Sequence, residues 1–136
     1  MAAGLVGTGY AGSPESFEVS LGGADVRLVG EEEQDWAAYS ISPAGDVNGD
    51  GCGDVIVGAY ANDAGGTDAG RAYVYFGGPG ADAIADLTLT GAAVDDAFGN
   101  SVAGAGDVNG DGYGDVIVGA RYNDAGGTDA GRAYIT

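Results

Sequence analysis

The feature that most constrains this chain is an internal duplication. Residues 46–73 and 107–134 align without a gap at an offset of 61, and 25 of the 28 positions are identical. The three exceptions pair Cys52 with Tyr113, Tyr60 with Arg121 and Ala61 with Tyr122. A repeat this long and this faithful indicates that one structural unit occurs twice.

Each unit reads as four successive strands, A to D, which makes the chain all-β. The strand B sequence, Asp-Val-Ile-Val-Gly-Ala, is apolar and β-branched, as is typical of a buried strand. The 29 glycines are spread among the repeated motifs, which favours short strands joined by tight turns over disorder. We predict strand A at 39–45 and 100–106, B at 54–59 and 115–120, C at 71–76 and D at 85–90.

The N-terminal residues fit the same template less faithfully. Residues 16–23 resemble a strand C, residues 24–29 resemble a strand D, and residues 4–7 resemble a degenerate strand B. The chain therefore runs (B) C D, then A B C D, then A B and a truncated C that ends at Thr136. We divide it into a partial unit at 1–30, a full unit at 31–91 and a partial unit at 92–136.

An acidic loop joins strands A and B in both copies of the repeat, at Asp46–Asp54 and Asp107–Asp115. Oxygen-bearing side chains occupy loop positions 1, 3, 5 and 9, glycine permits the turn at position 6, and position 7 offers its backbone carbonyl. Three carboxylates in so short a loop repel one another unless a cation lies among them, and the spacing suits Ca²⁺. The alternatives are a metal-free hairpin and Mg²⁺, which holds its waters and prefers a strict octahedron. An EF-hand is disfavoured because position 12 is a valine within a strand.

Phe98-Gly99, Gly104-Ala105-Gly106, the acidic loop and the following Val-Ile-Val-Gly-Ala together resemble the FG-GAP repeat. This repeat is the blade unit of integrin α-chain β-propellers and of many bacterial and archaeal surface proteins. The resemblance covers nearly the whole chain and implies four-stranded antiparallel propeller blades, about two per chain, on an extracellular or cell-surface protein. The first copy departs from the pattern, with Ala37-Ala38 in place of Phe-Gly and Pro43-Ala44-Gly45 in place of Gly-Ala-Gly.

In that family the acidic loop binds Ca²⁺, so the resemblance implies about two Ca²⁺ per chain. The ligands carried over by position are the side chains of Asp46, Asn48, Asp50, Asp54, Asp107, Asn109, Asp111 and Asp115, with the backbone carbonyls of Cys52 and Tyr113.

The charge balance narrows the function classes. A net charge of −17, with four arginines and no lysine, argues against nucleic acid and anionic membrane surfaces as partners. Without histidine or lysine the usual general bases and nucleophile activators are absent, so we predict no enzyme. Carboxylate-only hydrolysis is the remaining catalytic alternative. The acidity suits a salt-rich environment or an ordinary solubilising surface.

Signals for export and membrane insertion are absent from the sequence. No apolar run is long enough to span a membrane, and Met1–Gly7 lacks the basic region and long apolar core of a signal peptide.

Several further residues have both a functional and a structural interpretation, and we favour the structural one in each case. Cys52 is a tyrosine in the other copy, which indicates that its position uses the backbone. Glu31–Glu33, replaced by Ala92–Val94 in the other copy, is predicted to be a solvated turn between units. Arg71 and Arg132 are expected to pair with a neighbouring aspartate. Turn formation, rather than a second cation site, is predicted for Asp63, Asp68, Asp124 and Asp129.

Two blades do not close a propeller, which needs about four to eight. We therefore predict a homo-oligomer in which strands A and B of one chain and C and D of another form composite blades, giving a trimer or a tetramer. Two functions remain open. The first is a non-catalytic, self-assembling structural unit; the second is an adhesion module that binds a protein or glycan ligand on its loop-rich face.

Overall fold

The part of the protein that the structure describes contains β-strands and no helices, as the sequence predicts. A computed structural model describes residues 5–7, 17–21 and 24–136. Within these ranges there are ten strands and no helix. The strands are β1 (Leu5–Gly7), β2 (Phe17–Leu21), β3 (Ala24–Asp25), β4 (Ala37–Gly45), β5 (Asp54–Ala59), β6 (Arg71–Tyr75), β7 (Leu87–Thr90), β8 (Phe98–Gly106), β9 (Asp115–Ala120) and β10 (Arg132–Ile135).

The strands form three antiparallel sheets that follow the predicted order within each unit. The first sheet, β4-β5-β6-β7, is a complete A-B-C-D unit, and the second sheet, β8-β9-β10, is A-B-C. The N-terminal sheet, β1-β2-β3, has the B-C-D order predicted for the partial unit at 1–30, although β3 is much shorter than the predicted strand at 24–29. Gly4, Ser16 and residues 22–23 of the predicted N-terminal strands lie outside the described residues.

Two boundaries differ from the prediction for identifiable reasons. Strand A starts two residues early in both copies because a β-bulge at Ala38-Tyr39, and at Gly99-Asn100, lets the chain continue pairing with strand B. Strand D starts late, at Leu87, because the Asp86 carboxylate accepts a hydrogen bond from the Phe76 amide at 2.7 Å and ends the ladder there.

The first and second sheets pack against each other through one apolar cluster. The first sheet contributes Ala44, Ile56, Ala72 and Val74, all fully buried. The second sheet contributes Phe98, Val102, Val116, Val118 and Ala120. Burial of these side chains, at roughly 1.5–3 kcal/mol for each large one, is the main attraction between the two units.

Glycines let the backbones of the two sheets approach closely where β8 crosses the first sheet. A Cβ on Gly99 would overlap the carbonyl oxygen of Arg71, and one on Gly58 would overlap the carbonyl oxygen of Gly99. Gly99 also has a φ of +87°, which glycine adopts without strain. The Phe-Gly pair thus supplies an apolar anchor followed by a residue that has no side chain to clash.

In the first copy Ala38 stands where glycine would be expected and has a φ of +64°. A side chain in this region costs roughly 1–2 kcal/mol. We therefore expect Ala38→Gly to stabilise the protein by about 1 kcal/mol in urea unfolding, after the greater entropy of the unfolded glycine is subtracted. The control is Ala37→Gly, which removes an alanine that is not in the left-handed region and should destabilise; stabilisation by both would contradict the strain argument.

Candidate metal-binding loops

The first acidic loop, residues 46–54, joins β4 to β5 and folds around the Asp46 carboxylate. Asp46 Oδ1 accepts hydrogen bonds from the amides of Gly49 (2.8 Å) and Asp50 (3.0 Å), and Oδ2 accepts one from Gly51 (2.9 Å). Gly49 and Gly51 have φ values of +77° and +83°, which turn successive amides toward one point. The alternating glycines therefore make a concave, anion-holding turn around position 1.

Positions 3 and 5 of the loop lie next to each other and to position 7. Asn48 Nδ2 donates to Asp50 Oδ2 (3.1 Å), and Asn48 Oδ1 accepts from the Asp50 amide (3.2 Å). The Cys52 amide donates to Asp50 Oδ1 (2.8 Å). The structure thus brings Asp46, Asn48 and Asp50 together in one hydrogen-bonded ring.

Asp54, at position 9, holds the base of the loop. Its side chain is buried, Oδ2 accepts from the Val47 amide (2.7 Å), and Oδ1 accepts from the Gly77 amide beyond β6 (2.9 Å). Hydrogen bonds from two amides compensate for the loss of water around this carboxylate. Asp54 therefore ties the loop to strand C as well as to its own sheet.

The second loop, residues 107–115, repeats this arrangement. Every hydrogen bond within the first loop recurs at 2.7–3.0 Å. The side chains concerned are Asp107, Asn109, Asp111 and Asp115, with the Tyr113 amide in the place of Cys52. The loop geometry is therefore local, because it survives the exchange of cysteine for tyrosine and a different neighbourhood.

The two loops touch. The Gly114 amide donates to the Asp46 carbonyl at 2.7 Å, and the Tyr113 ring lies so close to Gly49 that a Cβ there would be 2.5 Å from Tyr113 Cε1. Ordering one loop consequently restricts the backbone of the other.

The donor set fits a hard cation, although it is not closed into a cage. Among the described residues, no three acidic or cysteine side chains converge closely enough to enclose a metal ion. A carboxylate offers about four lone-pair sites and an amide oxygen two. The hydrogen bonds above use three sites on Asp46, two each on Asp50 and Asp54, and one on Asn48. Each predicted side-chain ligand thus keeps at least one oxygen lone pair.

The Cys52 thiol is held in its protonated form. The Asp50 carboxylate, and to a lesser degree burial and the charges of Asp46 and Asp54, raise the pKa of this thiol. A reactive cysteine needs a lowered pKa. The structure supports the interpretation that this position contributes its backbone.

A polar cluster that the sequence did not reveal surrounds Glu31. Its Oε2 accepts hydrogen bonds from Arg71 Nη1 and Tyr73 OH, both at 2.9 Å, and contacts Asn62 Nδ2 at 3.4 Å. Burial, followed by the hydrogen bond and charge of Glu31, raises the pKa of Tyr73. Glu31–Glu33 is an exposed turn, as predicted, but Glu31 also has a structural role there.

The predicted partner of Arg71 was wrong. Its guanidinium pairs with Glu31, not with a neighbouring aspartate. Arg132, its twin, has Ala92 where Glu31 would be and lies over the Tyr134 ring, 5.8 Å from the centroid.

Buried acid–amide hydrogen bonds join the D–A connection to the B–C connection in both copies of the repeat. Asn62 Nδ2 donates to Asp35 Oδ2, and Asn123 Nδ2 donates to Asp96 Oδ2, both at 2.8 Å with all four residues buried. In the sequence, these pairs are visible only as an aspartate and an asparagine that both recur at the repeat offset of 61.

The aspartates of the B–C connection form turns, as predicted. Asp63 Oδ1 accepts from the Asp68 amide and Asp124 Oδ1 from the Asp129 amide, both at 2.8 Å.

The two copies of the Glu31 position provide a matched experiment. Tyr134 OH is buried and has no hydrogen-bond partner, because Ala92 stands where Glu31 faces Tyr73 in the first copy. Glu31→Ala should cost about 1–3 kcal/mol, since it leaves the Tyr73 hydroxyl without an acceptor and removes the ion pair of Arg71, which keeps its bond to Thr90 Oγ1. Ala92→Glu should stabilise by about 1 kcal/mol by giving Tyr134 an acceptor. Thermal unfolding measures both; opposite signs are expected, and equal signs would contradict the role of Glu31.

Comparisons with known proteins agree with the repeat structure. The family model described as "FG-GAP repeat" matches residues 37–75 and 98–136, more than half of the chain. Integrin alpha-5 of Xenopus laevis is 35% identical over 111 residues, which is 75% of this chain and 10% of that protein. Integrin alpha-IIb of Mus musculus is 34% identical over 131 residues, 85% of this chain and 13% of that protein. Integrin alpha-6 of Gallus gallus is 41% identical over 92 residues, 66% of this chain and 8% of that protein.

The chain spans about a tenth of the length of the curated relatives it matches. In the described part of the chain, no helix is long and apolar enough to cross a membrane.

Proposed function

Because the chain belongs to the FG-GAP repeat family, we propose that it is a calcium-binding segment of a β-propeller that assembles with further copies of itself into a closed ring. The observation that carries this proposal is a pair of units, packed sheet on sheet, that present the same acidic loop at the same A–B connection. Such a pair has the form of two successive blades. The family is non-catalytic, and the chain's role is structural.

Calcium would be held by the loop oxygens that keep free lone pairs. In the first loop these are the side chains of Asp46, Asn48, Asp50 and Asp54, with the Cys52 carbonyl; in the second they are Asp107, Asn109, Asp111 and Asp115, with the Tyr113 carbonyl. A bound Ca²⁺ supplies positive charge among carboxylates that otherwise repel one another. The loop amides are held by the carboxylate at position 1, and the carboxylate at position 9 ties the two ends of the loop together.

In the proposed assembly, further copies of the chain supply the remaining blades of the ring. Two blades per chain close as a trimer with six blades or a tetramer with eight under cyclic symmetry. In the described structure β10 has β9 on one side only, so a strand of another copy can extend that sheet by edge pairing.

Size-exclusion chromatography with light scattering, in calcium and in a chelator, tests the proposal. We expect three or four times the monomer mass in calcium. A monomer in calcium at all concentrations would overturn self-assembly, and a mass and melting temperature that do not respond to the chelator would overturn the calcium role.

A second candidate function is ligand binding at the cell surface, and a cleft favours it. A cleft of about 450 Å³ lies between the D–A and B–C connections, at the strand ends away from the acidic loops. It is lined by aromatic and acidic side chains, among them Trp36, Tyr60, Tyr122, Asp68 and Asp95. Trp36, Asp68 and Asp95 have positive φ, and strained backbone of this kind is frequent at functional sites. Binding of a glycan or an extracellular-matrix protein by the assembled protein, abolished by Trp36→Ala, would establish this function; a negative screen leaves the structural role.

A further inference from the structure

We propose that copies of this chain dock head to tail, with the front face of one copy on the back face of the next. The front face is the side of the first sheet formed by Ile41, Val55, Val57 and Ala59. The back face is the side of the second sheet formed by Ala105, Ile117, Ala133 and Ile135. The inference rests on the proposed self-assembly and specifies its contact surface.

The outer part of the front face, at Ile41 and Val55, is a packing surface that lacks its neighbour, whereas Val57 and Ala59 are already buried beneath Leu28 and Ala37. At the repeat offset of 61, Ile41 corresponds to Val102 and Val55 to Val116. Val102 and Val116 are packed on the first sheet and are 6% and 1% exposed, whereas Ile41 and Val55 are 67% and 40% exposed. Between Ile41 and Val55 lies a shallow apolar depression of about 300 Å³.

The back face shows the same contrast. Ile56 and Val74 of the first sheet are completely buried against the second sheet. Their repeat equivalents are Ile117, which is half-buried, and Ile135, which is 56% exposed. The other two residues of the back face, Ala105 and Ala133, are the repeat equivalents of the buried Ala44 and Ala72.

The two open faces match each other because the chain already contains one copy of their contact. The back face of the first sheet and the front face of the second sheet form the interface between the units. The open back face differs from its buried equivalent by a single methylene among the four residues, at Ile135 in place of Val74. The front face differs from its buried equivalent in one respect, because Ala38 and Pro43 stand where Gly99 and Gly104 approach the first sheet, and a Cβ on Gly99 would overlap the Arg71 carbonyl oxygen. A second copy can therefore repeat the apolar contacts of the internal interface, with the two backbones farther apart at these two positions.

Polar contacts of the internal interface also have equivalents. The Val102 amide donates to Ser40 Oγ at 3.0 Å, and the Gly114 amide donates to the Asp46 carbonyl. In the docked pair, the Ile41 amide of one copy would meet Ser101 Oγ of the other. Likewise the Gly53 amide would meet the Asp107 carbonyl.

Docking of this kind makes the interface between copies heterologous. Front and back are different surfaces, so each copy has one of each and successive copies extend around an axis until the ring closes. A two-fold pair of front faces, by contrast, would place Ile41 against itself and reproduce none of the internal contacts.

The test uses two variants that each lose one face. The front variant carries Ile41→Asp and Val55→Asp, and the back variant carries Ile117→Asp and Ile135→Asp. Each variant alone should be monomeric by light scattering, because no intact front face meets an intact back face. An equimolar mixture should form a one-to-one dimer of twice the monomer mass, since the mixture contains one good face of each kind.

Controls keep the outcomes distinct. Val94 is exposed, lies outside both faces and has Glu33 as its repeat equivalent. The Val94→Glu variant should therefore assemble as the unmodified protein does. Circular dichroism reports folding; if a double variant does not fold, the single exposed-site changes Ile41→Ser and Ile135→Ser replace it. An unmodified protein that is monomeric overturns the proposed self-assembly itself. If the unmodified protein assembles but the back variant also assembles, head-to-tail docking alone is overturned. The same conclusion follows if the unmodified protein assembles and the two variants do not pair when mixed.

Discussion

Gly58→Ala will destabilise the protein by about 3 kcal/mol or more, while Gly119→Ala, the same change at the equivalent residue of the other unit, will alter stability by only a few tenths of a kcal/mol. A Cβ on Gly58 would overlap the Gly99 carbonyl oxygen and lie 3.3 Å from Val102 Cγ1. A Cβ on Gly119 would be 3.6 Å from its nearest neighbour, Ser101 Cβ, which is an ordinary contact.

The difference arises because the second sheet packs on Gly58 and nothing in the described structure packs on Gly119. Backbone at Gly99 cannot move away without disturbing the bulge that starts β8, so the clash at Gly58 is not relieved by a side-chain rotation. Urea unfolding of the two single variants, under conditions where the protein is monomeric, measures the contrast. Equal losses at the two sites would show that the sheets do not pack as described.

The same pair of variants reports on assembly. Gly119 lies on the same side of β9 as Ile117, so an added methyl group there would occupy the surface against which another copy docks. Gly119→Ala should therefore weaken association while leaving the monomer's stability nearly unchanged. Association as strong as in the unmodified protein would count against docking on the back face.

Calcium at about 10 mM is expected to stabilise the protein by about 1.4–4.1 kcal/mol per site, given dissociation constants on the order of 10⁻⁵–10⁻³ M for structural sites of this kind. The physical reason is that Ca²⁺ binds the folded loop, with its converging oxygens, far better than the unfolded chain. Thermal unfolding in calcium, in magnesium and in a chelator measures the effect. Magnesium should stabilise less because it gives up its waters reluctantly.

Asp50→Asn together with Asp111→Asn provides the matched control. The amide oxygen of asparagine can still accept the hydrogen bond from the residue 52 or 113 amide. The exposed hydrogen bond from the Asn48 or Asn109 side chain is lost, together with one negative charge per loop, and the relief of carboxylate repulsion offsets that loss. This variant should lose most of the calcium response and be about as stable as the unmodified protein in the chelator. A full calcium response in the variant would place the ion elsewhere.

Much of the local structure could be predicted from the repeat. The B strands appear at the predicted residues, and the C strands within one residue of them, because an apolar β-branched run bounded by glycine leaves few alternatives. The acidic loops have the predicted turn, since Asp46 and Asp107 find their partners within five residues along the chain. These features depend on neighbours in sequence, and so the sequence reveals them.

The polar cluster around Glu31 could not be predicted in the same way. Glu31 lies 40 residues from Arg71 and 42 from Tyr73 along the chain, and the fold alone brings them together. The comparison of copies was even misleading here, because Ala92 at the equivalent position suggested that Glu31 had no specific role.

The sequence by itself determined the all-β class, the period of 61 residues, the order of strands within a unit and the two acidic loops. These follow from hydrophobic alternation, turn-forming residues and self-similarity, all of which act over short stretches of chain. Only the tertiary structure decided which of two nearly identical residues is buried and which is exposed. Ile56 and Ile117, or Gly58 and Gly119, have the same local sequence, and they differ because a second sheet covers one of each pair and leaves the other open.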